Sequence, residues 1–155
     1  MAGACFDSII AKHLQKTRNL LVGRTTAEHV RIRIGSCVDH IDRGSEIVHG
    51  LDITTGMASK QEIYSQEICE ILTPALVAIA YMAVSLLEKA PLTIAADIYD
   101  YGIMLTGGCA LMPGMAEALA RETGLRVTVA ELPQDAVIRG LGQIIQNPKL
   151  WEMLL

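Results

Sequence analysis

The 155-residue sequence predicts an α/β fold: parallel strands joined by crossover helices, with a small antiparallel sheet in the middle of the chain. Three observations carry this. Residues 101–146 alternate short apolar runs with amphipathic stretches, punctuated by glycine, as βα crossover units do. Residues 38–64 are rich in Gly, Asp, Thr and β-branched side chains, the composition of short strands and turns. Finally, 51% of the residues are hydrophobic but only 4% are aromatic, so the core must be aliphatic.

The elements follow in order. From Ala4 to Thr17, Phe6, Ile9, Ile10, His13 and Leu14 recur at three- and four-residue steps, which predicts an amphipathic helix that Asn19 to Gly23 breaks. A shorter helix follows, capped by the hydroxyl of Thr25 or Thr26 and ending before Gly35. Glu46 to Thr55 and the run through Ile63 predict two antiparallel strands joined at Gly56. Ser65 caps a long helix with Glu67 in its first turn, kinked or interrupted at Pro74.

Within that helix, Ile71 to Leu87 is a run of 17 residues without a charge. Its helical length of about 25 Å falls short of a hydrocarbon core of roughly 30 Å. Glu70 and Glu88 flank it, and no Lys/Arg cluster adjoins it, so the run reads as a helix buried on most of its surface. Tyr101 to Thr106 predicts a strand covered on both faces, Gly114 to Thr123 a helix closed by Gly124, and Val127 to Val129 the next strand. Pro133 marks a turn, Asp135 to Gln146 a final helix, and Pro148 to Leu155 an apolar tail that docks.

Charge and cysteine content exclude several functions. Thirteen Lys and Arg against 17 Asp and Glu give a net charge of −4, the wrong sign for general phosphate-backbone binding, so no nucleic-acid partner is expected. Cys5, Cys37, Cys69 and Cys109 lack zinc-knuckle or CxxC spacing and read as buried reduced thiols, so no metal site is expected. No Ser-His-Asp, Cys-His or paired-carboxylate arrangement emerges from residue order, so no catalytic residue is assigned.

Two segments can hold a ligand. In Leu105-Thr-Gly-Gly-Cys-Ala-Leu-Met-Pro-Gly114 a strand runs into paired glycines and then a helix, which lets backbone amides approach an anionic or planar group. It is neither a P-loop nor a GxGxxG fingerprint, and such a turn can equally be only a tight turn. In Gly23-Arg-Thr-Thr-Ala-Glu-His-Val-Arg31, Glu28 and Arg31 share a helix face. The carboxylate can accept from ribose hydroxyls and the guanidinium can stack on a base, or the two can form an ordinary solvated ion pair.

Read together, Gly3 to Asp7, Asn19 to Glu28, Ile34-Gly-Ser36, Ala95-Ala-Asp97, Gly102 to Gly108 and Glu122-Thr-Gly124 resemble the bacterial actin family of MreB. The resemblance continues through Val129-Ala-Glu131 and Ala136 to Gly142, collinear over nearly the whole chain. It implies the second half of such a protein: part of domain II of the actin/Hsp70-like ATPase fold, a ribonuclease H-like parallel sheet with an inserted α+β subdomain. Residues 1–19 and 91–155 would belong to the large subdomain and 20–90 to the inserted small one. The family binds ATP or ADP with Mg²⁺, forms filaments, and organises cell shape and wall synthesis. The resemblance thus implies self-association, cell-shape and wall-synthesis partners, and a cytoplasmic location at the inner face of the membrane.

The resemblance further implies that Thr25, Glu28 and Arg31 face the nucleoside from one side and Gly107, Gly108, Cys109 and Met112 from the other. Cys109 stands where the family usually has a third glycine, Arg31 where Lys is frequent, Arg24-Thr25 where Glu-Arg is common, and Ala4 where an acidic or amide residue is usual. The phosphate hairpins, the residues positioning the attacking water, three strands of the domain II sheet and the membrane-contacting parts belong to the other half. ATP hydrolysis by this chain alone is therefore not expected, and its two parallel strands should expose an edge. The alternative within the superfamily is a non-polymerising chaperone or assembly factor. A further alternative is a short form that caps filaments.

Overall fold

The computed structural model describes residues 2–147; the tail from Pro148 to Leu155 lies outside the described residues. Helix α1 (Ala2–Arg18) buries Phe6, Ile10 and Leu14 completely, at the four-residue spacing that aligns side chains on one face. Lys16 and Arg18 in its last turn complement the helix dipole. Asn19 turns the chain at φ 52°, and the two-residue strand β1 (Leu20–Leu21) pairs antiparallel with β2 (Ser45–Asp52) through Leu20–Asp52 and Leu21–Leu51. The segment expected only to break the helix is thus a short sheet edge.

Helix α2 (Arg24–Ile34) starts at least two residues earlier than the hydroxyl-cap reading requires. Gly23, in extended backbone, is its N-cap with no side-chain hydrogen bond; neither Thr25 nor Thr26 caps it. At its other end Arg43 Nη1 donates to the carbonyls of Ile32 (2.9 Å) and Gly35 (3.2 Å), satisfying acceptors that a helix end leaves open.

Strands β2 and β3 (Ala58–Tyr64) form the expected hairpin, giving a three-stranded sheet of order β1-β2-β3. Asp52 Oδ1 accepts from the amides of Thr54 (2.7 Å) and Thr55 (3.1 Å) to shape the turn. Val48 and Ile63 point into the core.

Helix α3 (Ser65–Leu87) runs through Pro74 as one element. Tyr64, not Ser65, is its N-cap; Ser65 is the first helical residue, and its buried Oγ has no hydrogen-bond partner. The expectation that the uncharged run is buried on most of its surface is also corrected. Leu72, Leu76 and Ala80 make one buried stripe, but only 17% of the most apolar 18-residue window is buried, and Tyr81, Met82 and Leu86 are exposed. By length and composition α3 is the one helix among the described residues able to cross a membrane.

Helix α4 (Leu92–Tyr101) follows, a helix the sequence did not announce, with no buried residue. Strand β4 (Ile103–Leu105) pairs in parallel with β5 (Val127–Val129), and helix α5 (Met115–Thr123) makes the crossover. β4 is not covered on both faces as expected: Met104 is 67% exposed, because the sheet has two strands among the described residues and only one side is packed. Gly114 and Gly124 bound α5 in left-handed backbone. Helix α6 (Ala136–Gln146) closes the described chain and buries none of its residues. One aliphatic core joins α1, α2, α3, α5 and the inner face of the hairpin.

Candidate nucleoside cleft

A cleft of about 600 Å³ lies where the N-terminus of α1 and the exposed face of α2 meet the turn that follows β4. Its size lies within the ordinary range for small-molecule sites. Six of the seven residues singled out from the sequence line it: Glu28, Arg31, Gly107, Gly108, Cys109 and Met112. Thr25 does not; it faces a separate groove of about 530 Å³ between α2 and β2, beside His29 and His49.

The glycine turn leaves backbone uncovered at the cleft. Gly107 has φ 85° and ψ 171°, a conformation essentially restricted to glycine, and a Cβ there would meet nothing within 4 Å. The Gly107 amide donates to the carbonyl of Pro133 at 2.6 Å, anchoring the turn. Beyond it, residues Gly108–Leu111 form a 3₁₀ turn, and Met112, 6% exposed, makes part of the cleft wall. The site sits at the carboxyl end of a parallel strand, where open α/β sheets place their ligands.

The α2 wall is charged but partly neutralised. Arg31 Nε donates to Asp7 Oδ1 of α1 at 2.6 Å, both side chains being buried. Arg31 Nη2 lies 3.6 Å from Glu28 Oε1, an ionic contact longer than a hydrogen bond. Glu28 is half exposed and can therefore accept from a ligand's hydroxyls. Burial pushes the Cys109 thiol up, Arg31 draws it down and Asp7 raises it, leaving it above its ordinary value of 9.0 and protonated at neutral pH. It is a small wall residue and a weak donor, not a nucleophile.

Residue order did not reveal Arg24 or Arg43 as cleft residues, nor Asp7 as the buried partner of Arg31 behind the wall. Arg24 and Glu28 are four apart on α2, so helical spacing could have placed Arg24 on the wall. The pairing of Asp7 with Arg31 spans 24 residues and two helices, which no local pattern encodes. The cysteine reading holds for Cys37 and Cys69, both buried, the former pushed by desolvation to about 12. Cys5 is exposed, on the outer face of α1, so it is not the buried thiol expected.

A family model described as MreB/Mbl protein matches residues 1–153. The chain belongs to the MreB/Mbl family.

Its relatives include the cell shape-determining protein Mbl of Bacillus subtilis, 33% identical over 147 residues that make up 95% of this chain and 44% of that protein. The cell shape-determining protein MreB of Escherichia coli is 33% identical over 146 residues, 94% of this chain and 42% of that protein. Among solved structures, MreB5 of Spiroplasma citri bound to ADP superposes with a TM-score of 0.89 at 32% identity, covering 96% of this chain and 45% of MreB5. The same protein bound to AMPPNP gives a TM-score of 0.89 and covers 99% of this chain and 46% of its own. The chain thus spans less than half the length of the MreB/Mbl proteins it matches, and its fold is part of the MreB actin fold, as the resemblance implied.

Proposed function

We propose that this chain supplies the nucleoside-binding side of an ATP-binding, filament-forming MreB-like protein that organises cell shape. The observation that carries the reading is the cleft itself: Glu28 and Arg31 on one helix face Gly107, Gly108 and Cys109 on a glycine turn, with Met112 behind them. A carboxylate for ribose hydroxyls, a flat guanidinium for a base and open backbone for close approach are what a nucleoside needs. That the MreB5 structures hold ADP and AMPPNP supports the same reading.

The lining fits a nucleoside but not its metal. Glu28 is the sole carboxylate among the described residues lining the cleft, and it faces Arg31. Octahedral Mg²⁺ needs several oxygen ligands and substrate phosphates. No metal-assisted step is therefore assigned to these residues; phosphates and Mg²⁺ would be met by the half of the intact protein that this chain does not match.

In this reading residues 1–19 and 91–155 belong to a large subdomain and 20–90 to an inserted small one. The apolar faces of α3, α4 and α6 are covered in the intact protein by the rest of that domain and by neighbouring subunits. Filament formation, a cytoplasmic location at the inner membrane face and contact with wall-synthesis proteins are proposed for the intact protein on the family relationship.

Calorimetric titration of ADP into the purified chain tests the binding claim. Saturable binding in the high-micromolar range is expected, weakened about tenfold by Glu28→Ala, the loss expected from one or two hydrogen bonds to a charged group. Absence of binding at millimolar ADP contradicts it. Sedimentation of the intact homologue with ATP tests the polymer claim, which fails if the protein stays monomeric at high concentration.

A further inference from the structure

A buried ion pair is a costly way to join two helices, because desolvating both charges offsets much of their attraction. The Asp7–Arg31 pair joins α1 to α2 with side chains 3% and 9% exposed, in a place where an apolar pair would pack as well. What the pair does, and an apolar one could not, is hold a guanidinium in one orientation at a cleft wall.

The geometry is specific about how. The bond to Asp7 is made by Nε, the nitrogen inside the side chain, at 2.6 Å, which ties down one edge of the guanidinium. Nη2, on the same edge, is turned toward Glu28 at 3.6 Å. Gly3 completes the seat: a Cβ there would lie 3.5 Å from Arg31 Nη2 and 3.3 Å from Cys109 Sγ, so a side chain beyond it would crowd the guanidinium. The Nε edge is thus occupied by protein, and a side chain that is usually mobile is held against the cleft.

We propose that Asp7 is a positioning residue for ligand recognition: it locks Arg31 so that the guanidinium offers its planar face to a heteroaromatic base and is withheld from the ligand's phosphates. This rests on the nucleotide reading of the cleft and deepens it. Asp7 touches no ligand; it acts through Arg31.

The test compares ADP with ribose 5-phosphate, which lacks the base, by NMR titration of the full chain. Asp7→Asn is expected to weaken ADP about tenfold, a difference of ~1.4 kcal/mol, and to leave ribose 5-phosphate unchanged. A merely structural role would weaken both alike. In an Arg31→Leu background, Asp7→Asn is expected to cause no further loss of ADP affinity. Unchanged ADP binding in Asp7→Asn, or an equal loss in both backgrounds, overturns the proposal.

Because Asp7→Asn breaks a buried pair, a wild-type measurement stands beside it. The Arg31 Nε–H resonance, protected by its bond to Asp7, is expected to shift with ADP and stay in place with ribose 5-phosphate. An unmoved Nε–H while Gly107 and Gly108 amides shift with ADP overturns the proposal even if the variant does not fold. If wild type binds no ADP at all, the nucleotide reading itself fails; if it binds ADP indifferently to Asp7 and Arg31, only the positioning role fails.

Discussion

Gly114 and Val38 compete for the same space: a Cβ built on Gly114 would lie 2.4 Å from Val38 Cγ2, and Gly114 sits at φ +76°. The contact fixes where α5 begins against the loop after α2, and so where the glycine turn is held. Gly114→Ala combines left-handed strain of about 1–2 kcal/mol with overpacking of about 1–3 kcal/mol. A loss of about 2–5 kcal/mol is expected in urea unfolding. Val38→Ala in the Gly114→Ala background should recover part of that loss, and additive effects would show that the two do not share a constraint.

Ser65 gives the opposite sign. Its hydroxyl is buried at the start of α3 without a hydrogen-bond partner, so its desolvation is uncompensated. Ser65→Ala is expected to leave thermal stability unchanged or raise it by up to about 1 kcal/mol. A clear loss would show that the hydroxyl has found a partner.

Glu67 ties α3 back to α1. His13 Nε2 lies 2.7 Å from one carboxylate oxygen and Arg18 Nη2 donates to the other at 2.9 Å. Burial pushes the Glu67 carboxyl up, but these two partners outweigh it and hold the acid below its ordinary value of 4.5. A depressed carboxyl stabilises the fold above its unfolded value, and that contribution is lost as pH falls through the folded one. Stability should therefore decline below pH 4.5, and Glu67→Gln should lower stability at pH 7 while flattening that acid limb. Equal acid limbs in wild type and Glu67→Gln would contradict this.

The bare half of α3 makes a fourth prediction. Met82 and Leu86 are exposed, so Met82→Gln with Leu86→Gln should change the stability of this chain by no more than about 0.5 kcal/mol. The same pair should reduce aggregation measured by light scattering, since apolar patches drive association. Leu72→Ala, on the buried stripe, should cost about 2–5 kcal/mol.

Much of the fold was legible where one side chain's environment is set by its neighbours in sequence. The spacing of Phe6, Ile10 and Leu14 announced α1, Gly124 announced the end of α5, and the glycines after Leu105 announced the turn. What was not legible depended on distant partners or on missing ones. Leu20–Leu21 is a strand only because β2 lies beside it, and α4 packs too little to show a buried stripe. Ser65 and Thr25 carry hydroxyls suited to capping, yet the backbone of Tyr64 and Gly23 took those places. The long apolar run looked like a core helix because hydropathy does not say how much of a surface is covered. In the cleft, Glu28, Arg31 and the glycine turn were readable from motif and helix spacing; Arg24, Arg43 and Asp7, the partner of Arg31, were not.

The most direct test of the nucleoside cleft is amide chemical-shift mapping of the chain titrated with ADP. Saturable shifts concentrated at Glu28, Arg31, Gly107, Gly108 and Cys109 are the predicted result, with Thr25 and His49 in the neighbouring groove unmoved. Shifts confined to that neighbouring groove, or none at millimolar ADP, would contradict it.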